Sequence, residues 1–130
     1  MNDRVVSVLI ADGRVHARSA MRLLLAQEPD VVVVGEAADM DAAISTMAAC
    51  RPDVVLLDWE LARQRTGRNG DAALNDVRVA SPESFVIALS SVPEVRRQAL
   101  AAGADAFVSK GDPPEKLLAT VGDCRRVSEF

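Results

Sequence analysis

The sequence of 130 residues is short of the residue types on which many catalytic and metal sites depend. It has one histidine, two cysteines, one tryptophan and no tyrosine. Cys50 and Cys124 fit no metal-binding spacing, and no histidine stands near them, so we expect two free thiols in a reducing compartment. His16 has no Ser, Cys or metal-ligand partner close by in the sequence, which predicts a surface residue rather than a catalytic one.

Excess positive charge and long apolar runs are missing as well. The chain has 15 Lys and Arg against 19 Asp and Glu, whereas a domain that binds nucleic acid usually has a basic face. No apolar run approaches the roughly 18 residues that a membrane span needs. The first apolar run follows the N-terminus directly, without the layout of a signal peptide. We therefore expect a cytoplasmic protein that by itself binds neither nucleic acid nor a membrane.

The composition does provide material for one hydrophobic core. Hydrophobic residues make up 49% of the chain and charged residues 26%, which is ordinary for a folded domain. The length suits one domain with a substantial core. We expect a single domain over residues 1–130, with its core in residues 5–124 and no separate output domain in this chain.

Strand-like apolar runs alternate with helical patterns from end to end. Strands are predicted at residues 5–10, 31–34, 54–57, 85–89 and 106–109. Helices are predicted at residues 14–27, 39–50, 71–79 and 93–103, and from residue 114 onward. Asp39 suits the N-terminal cap of the second helix, and Gly103 suits the C-terminal cap of the fourth. Residues 61–70, which include three arginines and two glycines, are predicted to form a loop.

The repeated alternation of strand and helix predicts an α/β fold with a parallel sheet that is covered on both faces. Right-handed crossovers leave few arrangements, and the chain is too short for an eight-unit barrel. A five-stranded, doubly wound sheet is the expected result. In such a sheet the functional site lies at the carboxyl ends of the strands.

Four polar side chains stand at these predicted strand ends. Asp12 follows the first strand, Asp58 the third, Ser90 the fourth and Lys110 the fifth. Polar residues often follow strands simply because loops begin there, but that explanation weakens when four complementary groups meet at one edge. Two neighbouring carboxylates favour a hard divalent cation, and lysine and serine can contact phosphoryl oxygens. Because a carboxylate can attack phosphorus, the set predicts phosphoryl transfer to an aspartate.

These residues lie in stretches that resemble the receiver domains of bacterial two-component response regulators. The resemblance extends from residue 5 to about residue 121 and rests on residues 8–12, 51–58, 88–90 and 102–110. Residues 29–37 and 110–115 are most similar to the NarL/FixJ subgroup. The resemblance implies a flavodoxin-like, CheY-like sheet with strand order 2-1-3-4-5. It also implies phosphorelay signal transduction, commonly in transcription regulation.

By this resemblance, Asp58 accepts a phosphoryl group from a sensor histidine kinase and forms an aspartyl phosphate. Lys110 contacts the phosphoryl group, and Ser90 is the switch hydroxyl that moves towards it. Phe107 matches the aromatic that swings inward on activation, although a core role explains it equally well. The chain would be no enzyme beyond catalysing its own phosphorylation and dephosphorylation. The fourth predicted helix, the fifth strand and the fifth helix would bind a partner or form a homodimer.

The resemblance also implies a Mg²⁺ site made by Asp12, Asp58 and the backbone carbonyl of Glu60. Receivers usually have two adjacent acids after the first strand, and here Gly13 takes the place of the second. Mg²⁺ demands near-octahedral oxygen ligation, so we expect weak binding. The Glu60 side chain could partly compensate, but a solvent-facing loop acid is the simpler interpretation.

Two further departures concern the loop after the third strand and the residue after the lysine. Ala62 stands where receivers commonly have proline, and the loop looks several residues too long. Its arginines, Arg63, Arg65 and Arg68, are candidates to meet an acidic partner or a phosphate, with a solvated charge run as the simpler interpretation. Gly111 replaces the proline that often follows the lysine, so a cis X–Pro bond is not available at that position.

Three functions remain open from the sequence. The first is a phosphorylation-dependent switch, and the second is a receiver-like interaction module that works without phosphorylation, for which Gly13 and the altered loop argue. The third is a flavodoxin-like cofactor-binding protein, which is disfavoured because residues 12–16 contain no glycine-rich phosphate loop. Trp59 is the only tryptophan and adjoins Asp58, so its fluorescence should report on the cleft.

Overall fold

Parallel pairing of five strands organises the fold. The structure is a computed structural model that describes residues 5–65 and 70–127. Its strands are β1 (Val6–Ala11), β2 (Val31–Ala37), β3 (Val54–Asp58), β4 (Phe85–Ser90) and β5 (Ala106–Ser109). They form one parallel sheet in the order β2-β1-β3-β4-β5. The predicted fold class and strand order are confirmed.

Helices connect the strands and begin or end at residues suited to that place. They are α1 (Val15–Leu25), α2 (Met40–Cys50), α3 (Trp59–Arg63), α4 (Asp71–Ala80), α5 (Arg96–Ala102) and α6 (Pro114–Val127). A 3₁₀ turn, Pro93–Val95, leads into α5. The Asp39 side chain accepts the Ala42 N–H at 2.8 Å and caps α2, as predicted. Gly103 ends α5 with a φ of 119°, a left-handed conformation that glycine adopts without strain.

The prediction of a loop over residues 61–70 is wrong in its first part. α3 begins directly after β3 and continues through Arg63. Leu61 and Ala62 are buried, so this segment contributes to the core, and a helical turn pairs its backbone groups. Residues 66–69 lie outside the described part of the chain. Because α3 was not predicted, α5 and α6 are the fourth and fifth helices of the sequence interpretation.

Helices cover both faces of the sheet. All five residues of β3 are buried, as expected for a central strand with a continuous apolar sequence. On one face, side chains such as Leu9 and Val55 pack against apolar residues of α2, α3 and α4. On the other, Ile10 and Leu56 pack against residues of α1 and α6. Apolar side chains fill both faces of the strands. The polar residues that follow the strands therefore lie at one edge of the sheet, where the carboxyl ends of the strands meet.

The single histidine and the two cysteines differ in their exposure. His16 is exposed, as predicted. Cys50 is exposed and Cys124 is buried, and neither forms a disulfide within the described residues. No helix within residues 5–65 and 70–127 combines the length and the apolar character needed to cross a membrane.

Candidate functional site

Three charged side chains meet at the carboxyl edge of the sheet. Asp12 follows β1, Asp58 ends β3, and Lys110 follows β5. The Lys110 ammonium lies 2.7 Å from Asp12 Oδ2 and 3.2 Å from Asp58 Oδ1. The side chains of Asp12 and Asp58 are 0% and 10% exposed, and that of Lys110 is 22% exposed. The sequence therefore predicted correctly that these residues, up to 98 positions apart, come together.

Asp12 is held by its own neighbours. Its backbone N–H donates to the Ala37 carbonyl at 3.0 Å and extends the pairing of β1 with β2. The Arg14 backbone N–H donates to Asp12 Oδ1 at 2.9 Å, and Arg18 Nη1 donates to the Asp12 carbonyl oxygen at 2.8 Å. Since Lys110 takes Oδ2, both carboxylate oxygens of Asp12 are engaged. Asp12 is thus the less approachable of the two acids.

Ser90 lies beside this group on the neighbouring strand. It is 1% exposed, and its hydroxyl accepts the Val92 N–H at 3.0 Å. Its carbonyl oxygen accepts the Lys110 N–H at 2.8 Å, which fixes the start of the Lys110 loop against β4. Ser90 is therefore hydrogen-bonded to the backbone of Lys110. Among the described residues, its hydroxyl has no hydrogen bond to the side chains of Asp12, Asp58 or Lys110.

Glu60 contributes its backbone rather than its side chain to the edge. The Glu60 carboxylate is half exposed and pairs with Arg63 at 3.3 Å on the outside of α3. The structure therefore favours the interpretation of a solvent-facing acid over a compensating metal ligand. The Glu60 carbonyl oxygen accepts the Gln64 N–H at 3.3 Å as part of α3, and a second lone pair on that oxygen remains for another ligand.

Position 13 has room for the acid that the sequence lacks. A Cβ atom built on Gly13 would lie 3.6 Å from the Ala38 carbonyl oxygen and 3.9 Å from Leu61 Cδ1, which are ordinary contacts. Across the described part of the chain, no three His, Cys, Asp or Glu side chains form a group suited to a metal ion. Asp12, Asp58 and the Glu60 carbonyl supply the hard oxygen atoms that Mg²⁺ prefers. These oxygen atoms are of the type that binds Mg²⁺, but the set contains one carboxylate fewer than receivers usually have.

Burial dominates the electrostatics of Asp58. Loss of solvent raises the pKa of the Asp58 carboxyl above its ordinary value. The Lys110 ammonium lowers the pKa of Asp58 and the Asp12 carboxylate raises it, and the net direction is upward. Ionised Asp58 therefore disfavours the native state relative to the unfolded chain.

We expect Asp58→Asn to raise the free energy of unfolding at neutral pH, because burial raises the pKa of the Asp58 carboxyl and the amide carries no charge to desolvate. The pKa of the Asp58 carboxyl is higher in the native state than in the unfolded chain. The gain in stability from Asp58→Asn is therefore complete at pH values above the native pKa. It decreases as the pH falls from the native pKa towards the unfolded pKa. Urea unfolding of the wild type and Asp58→Asn over a series of pH values measures the difference in their free energies of unfolding. A difference that does not become smaller at acidic pH would contradict the explanation by burial of the ionised carboxylate.

Comparison with known proteins agrees with this geometry. The family model described as "Response regulator receiver domain" matches residues 8–122. This chain belongs to the response regulator receiver family. The nitrate/nitrite response regulator NarL of Escherichia coli K12 is 30% identical over 119 residues, which are 90% of this chain and 53% of that protein. The receiver thus spans about half the length of the curated relatives that it matches first.

Solved receiver structures match at the level of the fold. The receiver domain of NarL from Mycobacterium tuberculosis is 29% identical, with a TM-score of 0.80 over 95% of this chain and 98% of that one. The response regulator domain of Thermotoga maritima CheB is 27% identical, with a TM-score of 0.78 over 93% and 96%. Receivers of this kind interact with histidine kinases, and they typically bind Mg²⁺ at the acidic pocket. The predicted family and the NarL-type character are confirmed.

Receiver domains are in general signalling domains rather than enzymes. A protein-glutamate methylesterase/protein-glutamine glutaminase of T. maritima is 32% identical over 114 residues, and the match covers 32% of its length. The methylesterase activity in that name belongs to the T. maritima protein. This receiver matches only about a third of the length of that protein.

Trp59 makes contacts that the sequence did not reveal. Its side chain is fully buried, and its indole Nε1 donates to Gln98 Oε1 on α5 at 3.2 Å. Gly70, which precedes α4 with a φ of 78°, lies against the indole, and a Cβ there would come within 2.6 Å of the ring. The sequence shows a glycine at position 70, but its left-handed φ and the partner of Trp59, 39 residues away, are known only from the structure.

Two of the arginines after β3, Arg63 and Arg65, pair with acidic residues of the receiver itself. Arg63 pairs with Glu60, as described above. Arg65 Nε lies 2.9 Å from Asp76 Oδ2 on α4, and its other guanidinium edge pairs with Asp41 on α2. These hydrogen bonds raise the pKa of Arg65, first through Asp41 and then through Asp76. Arg65 is thus engaged within the receiver while its side chain keeps contact with solvent, which fits the interpretation of a solvated charge run, and Arg68 lies outside the described residues.

The remaining predicted positions lie on or beside β5. Phe107 is partly buried and packs against the core on the face of α2 to α5. That packing fits both interpretations given above for this aromatic side chain. The Gly111 N–H donates to Ser109 Oγ at 3.2 Å, and no cis peptide bond occurs within the described residues.

Proposed function

We propose that this receiver accepts a phosphoryl group from a histidine kinase on Asp58 and thereby changes how it binds a partner. The observation that supports this most strongly is the contact of the Lys110 ammonium with both buried carboxylates. Asp58 is the more exposed of the two acids and the one whose second oxygen is not held by Arg14. It is therefore the acid that a phosphorus atom can approach.

The transfer needs little covalent machinery from the receiver. An oxygen–phosphorus bond forms at Asp58 while the nitrogen–phosphorus bond of a phosphohistidine breaks, and the imidazole keeps the bonding electron pair. Catalysis then consists of positioning and charge neutralisation. Lys110 supplies positive charge next to Asp58, and Ser90 supplies a hydroxyl that can turn from Val92 towards a phosphoryl oxygen.

Mg²⁺ would be held by Asp12, Asp58 and the Glu60 carbonyl in this proposal. When bound, the ion supplies charge neutralisation for the phosphoryl oxygens. We propose that it binds weakly, because Gly13 removes one carboxylate and because the Lys110 ammonium competes for the same oxygen atoms.

The proposed output is a change in protein association. We propose that Phe107 and the face formed by α5, β5 and α6 transmit the state of Asp58 to a partner protein or to a second copy of the chain. The net charge of −4 supports binding to protein rather than to nucleic acid by this chain itself. We propose the cytoplasm as the place of action.

A second candidate is an interaction module that works without phosphorylation. Two observations favour it: Gly13 leaves the metal site short of an acid, and Lys110 already pairs with both carboxylates and offsets part of their charge without a metal. In that case the acidic pocket would be a structural ion-pair network with no catalytic turnover.

Trp59 fluorescence can separate the two candidates. We expect Mg²⁺ to change the emission only in the millimolar range or above, and beryllofluoride, which mimics a phosphoryl group, to change it further. Lys110→Ala should weaken the response to the mimic at least about tenfold, because it removes the ammonium that meets phosphoryl oxygens. The same variant should keep or strengthen the Mg²⁺ response, because a competing cation is gone.

The same experiments can also reject the first candidate, the phosphorylation-dependent switch. No emission change at millimolar Mg²⁺, together with no phosphate uptake from phosphoramidate, would reject the phosphorylation switch. The module that works without phosphorylation would then be the better account.

A further inference from the structure

Trp59 occupies a junction between the acceptor strand and two helices. It follows Asp58 directly and opens α3, so its backbone shares a peptide bond with the acceptor. Its ring is fully buried, and Gly70 at the start of α4 lies against it. Because a Cβ at position 70 would overlap the ring, the indole is confined on that side. Trp59 therefore has little freedom to absorb a movement of Asp58 by changing its own rotamer.

The single polar atom of this ring is directed at α5. A buried indole N–H needs a hydrogen-bond partner, and the partner here is Gln98 Oε1 at 3.2 Å. Gln98 is exposed, so its side chain reaches inward from the surface of a short helix to meet Trp59. α5 follows the loop after Ser90 and packs next to β5, which places it in the face proposed above for output.

We propose that Trp59 is a positioning residue that couples the state of Asp58 to the placement of α5 through its hydrogen bond to Gln98. This connection does not involve Ser90: it runs from the end of β3 through Trp59 to Gln98 in α5. The biological use of this coupling rests on the proposed function, since phosphorylation is the change of state that it would transmit.

The coupling has a thermodynamic consequence that can be measured in both directions. If a change at Asp58 alters the free energy of the Trp59–Gln98 contact, then loss of that contact must alter the response at Asp58 by the same factor. Gln98 is a suitable site for the test because it is exposed and its truncation opens no cavity in the core.

Hydrogen exchange of the α5 amides in four proteins tests the coupling without any phosphorylation. The proteins are the wild type, Asp58→Asn, Gln98→Ala and the double variant. Asp58→Asn changes the charge at the acceptor, and we expect it to change the exchange rate of α5 by at least about twofold when Gln98 is present. In the Gln98→Ala background, the same change at Asp58 should leave α5 exchange unaltered.

Matched variants separate the hydrogen bond from general effects. Arg97→Ala alters the adjacent exposed residue of α5 and should retain the full coupling. Gln98→Glu keeps an acceptor oxygen for the indole and should restore the coupling that Gln98→Ala removes. Trp59→Phe keeps a buried ring without the N–H and should behave like Gln98→Ala.

Two results would overturn the proposal. One is an equal effect of Asp58→Asn on α5 in both Gln98 backgrounds, which would assign the coupling to another route. The other is no effect of Asp58→Asn on α5 in either background. Phosphate uptake is measured separately, so a receiver that takes up phosphate without this coupling rejects only the present inference. A receiver that shows the coupling but takes up no phosphate rejects only the proposed function.

Discussion

Asp58→Asn is expected to take up no phosphate from phosphoramidate or from a phosphorylated kinase, a loss of at least roughly 1,000-fold in rate. An amide is a poor nucleophile towards phosphorus, and asparagine fills the same volume. Asp58 is 10% exposed at the end of β3 and faces Lys110 at 3.2 Å, so the variant removes the proposed nucleophile and leaves the pocket in place. Intact mass spectrometry counts the phosphoryl groups on each protein.

Asp12→Asn is the matched control for this experiment. Asp12 contacts the same ammonium, but it is fully buried and both of its oxygens are engaged. We expect Asp12→Asn to slow uptake through loss of a metal ligand while a single phosphoryl group still enters the protein. Persistent labelling of Asp58→Asn together with complete loss in Asp12→Asn would show that the acceptor has been assigned to the wrong carboxylate.

Gly13→Asp is expected to tighten Mg²⁺ binding at least about tenfold, which corresponds to about 1.4 kcal/mol. A third carboxylate brings the oxygen set closer to what the ion requires, and the electrostatic attraction at a few ångströms is large enough for that gain. Space is available, since a Cβ at this position meets only ordinary contacts at 3.6 and 3.9 Å. Titration of Trp59 fluorescence with Mg²⁺, or calorimetry, measures the change.

Gly13→Asn separates charge from bulk in the same measurement. Asparagine has nearly the shape of aspartate and the same loss of glycine flexibility, but it adds no negative charge. We expect it to leave Mg²⁺ affinity close to that of the wild type. Equal affinities for the Asp and Asn variants would show that the missing acid does not limit metal binding in this receiver.

The sequence was sufficient for the charged edge of the sheet because topology determines it. Each strand of a doubly wound sheet delivers its carboxyl end to the same edge, so Asp12 and Lys110 could be placed together without any local signal. The continuous apolar character of β3 also predicted burial on both faces and placed Asp58 at its end.

The sequence did not reveal what determines the surroundings of Asp58. α3 is only five residues long and is followed by arginine- and glycine-rich sequence that is typical of a loop, so its helical turn went unpredicted. The Arg65 pairs with Asp41 and Asp76 depend on how α2 and α4 pack, which no local pattern encodes. For the same reason the Trp59–Gln98 hydrogen bond is visible only in three dimensions.

Lys110 reduces the net negative charge of the acidic pocket. One ammonium against two ionised carboxylates leaves a single uncompensated negative charge, where a pocket with three acids would leave two. The repulsion that a divalent ion normally relieves is therefore smaller before any ion arrives. This receiver can hold its two acids together in a magnesium-poor environment, and an arriving phosphoryl group would share the three N–H donors of the Lys110 ammonium with both of them.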